Sequence, residues 1–396
     1  MYSLCKENTL SYQILEMIGI SGEFPSAALT LFSGGEFYKE KIITDLKEKK
    51  LVHTYYKNQL RGYRLSLAGK KLLLNNNPER FNFFLQGQYD TNHLPNDIRR
   101  RLRLHSIAEV YLLMKNAGVH IFRDEKSDIF QPASDDILAL RYRENAENKA
   151  PPQPLSGEPV LPSFYNSREF KQLGNEVMKM KNARAAGLLL TESNIYAVYN
   201  AGNYVLKWDL MSEMRLKVIV QQYLCQNRFP NLYLNKTIKA IVFGSGMDMA
   251  ARLMASAGGN KRNYFMLDDN YDNFYFLPGD SNGELLIKLF CDASVTERLN
   301  KVLLSDFQPA NKNLTIENDA LDTDGNPVLL AYDFDMQRIA RFKAGLILLK
   351  KKGTIICFDF QYDVLDEYFG ENTDVKIQKI DAIKFRKAFL KPSGTG

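Results

Sequence analysis

The sequence contains 396 residues, of which 45% are hydrophobic and 25% are charged, and its net charge is +6. This length suits two or three domains of ordinary size, and the composition excludes disordered, fibrous and collagenous proteins. The four cysteines are widely spaced and form no CxxC pair, which argues against a disulfide framework or a cysteine-built zinc site. Because the chain has neither a long apolar run nor a secretory signal, we expect it to be cytoplasmic and not inserted in a membrane.

The positive charge is concentrated near the beginning of the chain. Residues 1–110 contain 16 lysines and arginines against 11 acidic residues, whereas the remaining residues contain 36 against 35. A basic segment attracts polyanions such as nucleic acids. We therefore expect the N-terminal quarter to carry any nucleic-acid contact.

The N-terminal segment shows the clearest pattern. Apolar residues at helical spacing predict three helices, the third over residues 36–49 with Phe37 facing the core. Two strand-like runs, 51–56 and 63–67, predict a hairpin. Three helices followed by a hairpin are typical of a winged helix-turn-helix, in which the third helix enters the major groove and the hairpin contacts the adjacent DNA backbone. We predict this fold for residues 1–77.

Basic side chains in and after this segment are candidate DNA contacts, because lysine and arginine can reach base edges and phosphates. The candidates are Lys39 and Lys41 on the third helix, Lys57, Arg61 and Arg64 on the hairpin, and Arg99, Arg100, Arg101 and Arg103 before the next helical run. The alternative is that the module binds protein and that these side chains are merely solvated.

The rest of the chain predicts a mixed α/β protein. Residues 78–143 read as a basic helical connector and the start of the core, and the proline-rich segment 144–162 as a linker or long surface loop. Residues 163–391 alternate strands and helices, which is typical of an α/β domain. Within it, the strand-like runs 328–332 and 354–358 are joined by a helix, which predicts a parallel crossover.

Two sets of side chains in the α/β half are candidate metal or catalytic sites. Asp333 and Asp335 follow the first strand of the crossover and Asp359 follows the second, at the edge where parallel sheets gather ligands and where carboxylates can hold Mg²⁺. Helix capping explains the same aspartates without a metal. Glu213 and Lys217 lie one helical turn apart, either as a metal and phosphate pair or as a surface ion pair.

Short motifs in the first 225 residues resemble those of the replication-relaxation family of mobile elements. The motifs are HSIAEV (105–110), SREFK (167–171), ARAAGLL (183–189) and IYAVYN (195–200), which follow the predicted winged helix. Members of this family are plasmid or conjugative-element proteins of low-GC Gram-positive bacteria, related to the MOB-C relaxases. The resemblance covers residues 5–225. It implies a winged helix joined to a restriction-endonuclease-like core that nicks DNA with a divalent metal, Mg²⁺ or Mn²⁺.

The carboxylates that such a core needs are missing from the matching positions. Nicking requires an aspartate at the start of one strand and an acid-x-lysine motif on the next, because the carboxylates hold the metal and the lysine orients water. Here the positions read Ala-Ala-Gly at 185–187 and Val-Tyr-Asn at 198–200. Only Glu109, or Glu213 with Lys217, is placed to replace them.

These observations predict a DNA-binding protein of a plasmid, conjugative element or phage that acts in DNA relaxation, mobilisation or replication initiation. Its partners would be double-stranded DNA and a relaxase, coupling or replication protein, and the α/β half would either nick DNA or recruit that partner. The alternative is a non-catalytic winged-helix transcriptional regulator or relaxosome accessory protein. Its C-terminal domain would bind a ligand or partner, or form a homodimer. An adaptor that touches no DNA is a third possibility.

Overall fold

A computed structural model describes residues 7–87, 90–91, 97–130, 159–173, 183–255, 265, 267, 270–310, 316–370 and 373–390. The chain divides into two compact units, residues 1–174 and residues 175–396. Helices and mixed sheets occur in the described residues, and the predicted mixed α/β class is confirmed. The division into four segments predicted from the sequence stays a prediction, and most of the proline-rich segment 144–162 lies outside the described residues.

The first unit combines helices with a small antiparallel sheet in the strand order β1-β3-β2. Its main elements are α1 (Leu10–Ser21), β1 (Phe24–Pro25), a 3₁₀ helix (Ser26–Leu31), α2 (Glu36–Glu48), β2 (Val52–Lys57), β3 (Leu60–Leu65), α3 (Leu67–Asn76), α4 (Pro78–Leu85), α5 (Ile98–Asn116) and β4 (Ser163–Asn166). The predicted third helix corresponds to α2, and the predicted hairpin corresponds to β2 and β3. The second predicted helix is a 3₁₀ helix.

Local sequence signals explain where these elements begin and end. The Thr9 side chain accepts a hydrogen bond from the Tyr12 N–H and caps α1, and Gly22 ends that helix with a φ of 84°. The hairpin turns at Asn58 and Gln59, which both have positive φ, 53° and 60°. Two consecutive residues of this kind match the right-handed twist of the strands and give a tight hairpin. The hairpin tip is therefore shorter than the sequence pattern indicates.

The second unit contains two sheets with helices between the strands. Its first part has β5 (Gly187–Leu190), β6 (Ile195–Gly202), α6 (Leu210–Val220), a π-helix (Gln221–Arg228), α7 (Pro230–Tyr233), β7 (Lys239–Gly244), α8 (Asp248–Ala255) and β8 (Phe274–Pro278). Its second part has α9 (Ser281–Cys291), α10 (Ala293–Leu303), β9 (Gln308–Pro309), β10 (Ala320–Leu321), β11 (Pro327–Leu330), α11 (Met336–Leu349), β12 (Gly353–Phe358), α12 (Tyr362–Phe369), β13 (Val375–Ile380) and α13 (Ala382–Phe389).

Parallel crossovers organise both sheets of this unit. The strands β5, β6, β7 and β8 lie side by side in chain order, with an antiparallel β5–β6 hairpin followed by parallel pairs. In the other sheet, β11, β12 and β13 are parallel, and β9 and β10 add antiparallel strands. The crossover predicted between the two runs at 328–332 and 354–358 is confirmed by the parallel pairing of β11 with β12. Among the described helices, none is both long and apolar enough to cross a membrane.

Candidate functional site

A buried carboxylate organises the core of the first unit. Glu23, between α1 and β1, is 0% exposed and lies against three basic side chains. Arg64 donates from Nε and Nη2 to Oε2 at 2.9 and 2.6 Å, and Arg101 donates from Nη2 to Oε1 at 2.6 Å. The Nε2 atom of His105 lies 2.8 Å from Oε1. We call these four residues the Glu23 centre.

Ionisation of Glu23 depends on these neighbours. Burial alone would raise its pKa, but hydrogen bonds from His105, Arg101 and Arg64 outweigh burial and lower the pKa of Glu23 to about 2. The carboxylate is therefore charged at neutral pH and offsets one of the two positive charges of the buried guanidinium groups. Removing one partner from a buried charge network lowers the free energy of unfolding by about 3–5 kcal/mol.

The Glu23 centre also fixes the position of α5 relative to the hairpin. Arg101, which is 0% exposed, donates to the carbonyl oxygens of Lys57 and Leu60 at 3.0 Å each. These carbonyls lie on either side of the hairpin turn. The first turns of α5 are consequently held beside the tip of the hairpin.

Three of the predicted DNA contacts are wrong because their side chains are buried. Lys39 is 4% exposed, and its Nζ donates to the carbonyl oxygens of Phe32 and Thr30 at 3.1 and 3.4 Å. Arg64 and Arg101 belong to the Glu23 centre. In each case the charged side chain donates hydrogen bonds to buried acceptors and does not face solvent. The acceptors of Arg64 and Arg101 come from distant parts of the sequence.

The remaining predicted contacts are exposed. They are Lys41 on α2, Lys57 and Arg61 on the hairpin, and Arg99, Arg100 and Arg103 on α5. Arg101 anchors the start of α5 to the backbone of the hairpin tip, so Lys57, Arg99, Arg100 and Arg103 are on adjacent elements, whereas Arg61 lines the groove beside α2. We call Lys57, Arg61, Arg99, Arg100 and Arg103 the basic surface.

The α2 helix, which we expected to enter the major groove, is not basic on its accessible side. It carries Glu36, Glu40, Asp45 and Glu48, while its accessible lysines are Lys41 and Lys47. Glu36, Glu40 and Lys47 line a groove of about 540 Å³ between α2 and the hairpin, and Arg61 lines it from the hairpin side. The prediction that Phe37 is buried is also wrong, since it is 91% exposed.

The second unit contains a buried glutamate of a different kind. Glu213 on α6 is 0% exposed, and its Oε1 accepts from the backbone N–H of Arg184 at 2.7 Å. Its Oε2 accepts from the Tyr199 hydroxyl at 2.8 Å, and that hydroxyl lies 2.9 Å from the Tyr271 hydroxyl. Burial raises the pKa of Glu213 to about 7, although the Arg184 N–H and the Tyr199 hydroxyl act against this.

The predicted catalytic residues are divided between the two units. Glu109 is half-buried on α5 of the first unit, whereas Glu213 and Lys217 are on α6 of the second. The Nζ of Lys217 donates to the carbonyl oxygen of Asn270 at 2.6 Å. Both oxygens of Glu213 have donors, so neither the metal pair nor the surface ion pair describes its contacts.

The three predicted metal-binding aspartates have different contacts. Asp335 caps α11 through the Gln337 N–H and also accepts from Asn273 Nδ2 at 2.6 Å. It thereby links the two sheets of the second unit. Asp359 is exposed and accepts from the Phe360 N–H at 2.8 Å. Capping, the alternative to a metal site, explains the contacts of Asp335.

Asp333 differs from these two aspartates because the cost of its burial outweighs the attraction of Arg338 and its hydrogen bond from the Asp335 N–H. It is half-buried, and burial together with the nearby charge of Asp335 raises the pKa of Asp333 to about 7. In the part of the chain that the structure describes, no three histidine, cysteine, aspartate or glutamate side chains gather as metal ligands. The prediction of Mg²⁺ or Mn²⁺ stays untested.

Sequence reasoning did not single out Glu23, and it did not predict that Glu213 is buried. Glu23 is an acidic residue set between Gly22 and the apolar Phe24, and such an isolated acid in an apolar stretch is the signal that could have indicated a buried partner for arginine. Comparison with protein-family models, with curated proteins and with solved structures finds no match to this chain.

Proposed function

We propose that the first unit binds double-stranded DNA through the basic surface. The observation that carries this proposal is the anchoring of α5 by Arg101, which holds the start of this helix, with its exposed arginines, against the hairpin tip that carries the exposed Lys57. Asp97, which caps α5, is the acidic residue closest to them in sequence. A cluster of cations on one rigid surface attracts phosphates, and arginine can bind them bidentately.

In this proposal α2 does not enter the major groove. The four acidic residues of α2 would repel phosphates, and Lys39 is committed to interior carbonyl groups. Contacts made by the hairpin and α5 alone would be mainly to the DNA backbone, which positions a protein without reading sequence. We therefore expect binding that is strongly salt-dependent and weakly sequence-dependent.

We further propose that the chain acts as an accessory protein in DNA mobilisation, relaxation or replication rather than as a nickase. The resemblance to the replication-relaxation family motivates the first part of this proposal. The contacts of Glu213 support the second part, because both carboxylate oxygens already accept hydrogen bonds inside the core.

Fluorescence anisotropy with a labelled duplex of about 30 base pairs tests DNA binding. We expect Arg99→Ala with Arg100→Ala to weaken binding about tenfold or more, because two phosphate contacts are lost. Lys71→Ala, which removes an exposed lysine of α3, is the matched control and should leave binding within about twofold. Equal affinities for all three proteins would contradict the proposal.

A supercoiled-plasmid assay with Mg²⁺ or Mn²⁺ tests the accessory role. We expect the plasmid to remain supercoiled in the presence of the wild-type protein. Relaxation by the wild type that Glu213→Gln abolishes would establish the nickase alternative.

A further inference from the structure

The groove beside α2 has the size of a ligand site. It lies between α2, the 3₁₀ helix and the hairpin, and its volume is about 540 Å³. Sites that hold small ligands have volumes of about 300–1,000 Å³ and combine apolar surface with a few polar groups. Leu29, Ile43 and the Tyr63 ring give this groove its main apolar surface, and charged side chains line the rest of it.

Hydrogen bonds connect the three elements that form the groove. The Nζ atom of Lys39 on α2 donates to the carbonyl oxygens of Thr30 and Phe32, in and just after the 3₁₀ helix. The Ser26 hydroxyl, at the start of the 3₁₀ helix, donates to the carbonyl oxygen of Arg61 on the hairpin at 3.4 Å. The groove is therefore formed before a ligand binds, and binding does not have to order its walls.

Charges of opposite sign lie at the two ends of the groove. Glu36 and Glu40 are in the first two turns of α2, whereas Lys47 is in its last turn. Burial, together with the nearby charge of Arg61, lowers the pKa of Lys47, so the two cations are close to each other. In the part of the chain that the structure describes, none of these four side chains forms an ion pair. All four charges are therefore available to a ligand.

The separation of the two ends indicates which ligand fits. A helix rises 1.5 Å per residue, so Glu36 and Lys47 are about 16 Å apart along the axis of α2. An extended peptide covers this distance with about five residues, at about 3.3 Å per residue. The two glutamates would repel a polyanion, and the two cations would repel a polycation. A peptide with opposite charges at its two ends is complementary to the whole groove.

We propose that this groove binds an extended peptide segment of a partner protein, with a basic side chain against the two glutamates and an acidic side chain against Lys47 and Arg61. An apolar side chain between these charges would pack on Tyr63. This inference goes beyond the proposed function and does not depend on it. Because about five residues bury far less than the roughly 1,200 Å² of a typical stable interface, we expect a dissociation constant of about 0.1 to 1 mM.

NMR titration of the isotope-labelled full chain with a synthetic peptide tests this site. The probe is Lys-Lys-Ala-Leu-Ala-Glu-Glu with both ends blocked, and two control peptides carry only lysines or only glutamates at the four charged positions. The probe should shift the amide signals of Glu40 and Thr44, which line the groove. Each control peptide should bind at least about tenfold more weakly, because one end of the groove repels it.

Two neutralising variants distinguish this peptide from a polyanion as the ligand. Glu40→Gln and Lys47→Gln should each weaken binding of the probe about threefold, because each removes one attraction. A polyanion would instead bind more tightly to Glu40→Gln than to the wild type. Both positions are outside the basic surface, so failure of this proposal is distinct from failure of DNA binding.

Lys41→Gln is the matched control, since it neutralises an exposed lysine of α2 that does not line the groove. It should bind the probe as the wild type does, and circular dichroism confirms that each variant is folded. A probe that binds no better than the control peptides, or that binds Glu40→Gln as tightly as the wild type, would overturn the proposal.

Discussion

Two glutamates in this protein are equally buried and yet differ in charge. Glu23 in the first unit and Glu213 in the second are both 0% exposed. Two arginines and a histidine surround the carboxylate of Glu23, whereas the donors to Glu213 are a backbone N–H and a phenol. The pKa of Glu23 is lowered to about 2, and the pKa of Glu213 is raised to about 7.

This difference shows that burial alone does not decide the charge of an acidic side chain. Desolvation disfavours the charged form at both positions, and the cations around Glu23 reverse its effect. The first unit therefore depends on a charged interior network, while the second contains a carboxyl group that is close to its midpoint at neutral pH. The two units should respond in opposite ways to neutralising substitutions and to pH.

The largest effect is expected for Glu23→Gln. This change leaves Arg64 and Arg101 buried without their counter-charge, so the first unit should lose about 3–5 kcal/mol of unfolding free energy at pH 7. The loss should shrink at low pH, because the stability from a lowered pKa is present above about 4.5 and disappears as pH falls through about 2. Urea unfolding followed by far-UV circular dichroism measures the effect.

The single tryptophan provides an internal control for this experiment. Trp208 is buried in the second unit against Tyr199. Its fluorescence transition should be the same in Glu23→Gln and in the wild type. A loss below about 1 kcal/mol in the first unit would show that the charged network contributes little.

The next largest effect is expected for Glu213→Gln, which should stabilise the second unit. A raised pKa means that stability is fully present below about pH 4.5 and declines as pH rises to about 7, because ionisation is costly inside the fold. A neutral amide removes this cost, so the second unit should gain up to about 3 kcal/mol at pH 8 and almost nothing at pH 4.5. Trp208 fluorescence during urea unfolding measures both values. A destabilised variant at pH 8 would show that the carboxylate is needed in its charged form.

A smaller loss of stability is expected for Gly62→Ala, because the backbone of Gly62 lies close to the Glu23 centre. A Cβ atom at Gly62 would lie 2.5 Å from Oε1 of Glu23 and 2.8 Å from Nε2 of His105. Because these atoms are held by charged hydrogen bonds, Gly62→Ala should cost about 1–3 kcal/mol. Gly35→Ala, where a Cβ meets no atom within 4 Å, should cost about 1 kcal/mol or less. Thermal unfolding of the two variants compares them, and equal losses would show that the centre can adjust.

The sequence was informative where structure is local. Helical periodicity placed α2, alternation placed the β2–β3 hairpin, and strand-helix-strand spacing predicted the parallel pairing of β11 with β12. It was misleading where long-range contacts decide the environment of a side chain. Nothing near Arg101 in the sequence indicates that a carboxylate 78 residues earlier will bury it, or that interior carbonyl groups will bind Lys39.

The same reason limited prediction of the candidate site. The basic residues before and after residue 60 look alike in the sequence, and only the Glu23 centre separates buried Arg64 and Arg101 from exposed Arg61 and Arg100. The metal-site hypothesis had the same weakness. Asp335 follows a strand of a parallel sheet as expected, but its oxygens accept hydrogen bonds from Asn273 and Phe274 of the neighbouring sheet and from a helix N-terminus.

The salt dependence of duplex binding tests the central claim most directly, because each phosphate contact contributes about 0.9 to the slope of log K against log salt concentration. A variant with Lys57, Arg61, Arg99 and Arg100 all changed to alanine removes four cations of the basic surface. We predict that its slope is smaller than that of the wild type by about 3 to 4. Equal slopes for the two proteins would contradict DNA binding by this surface.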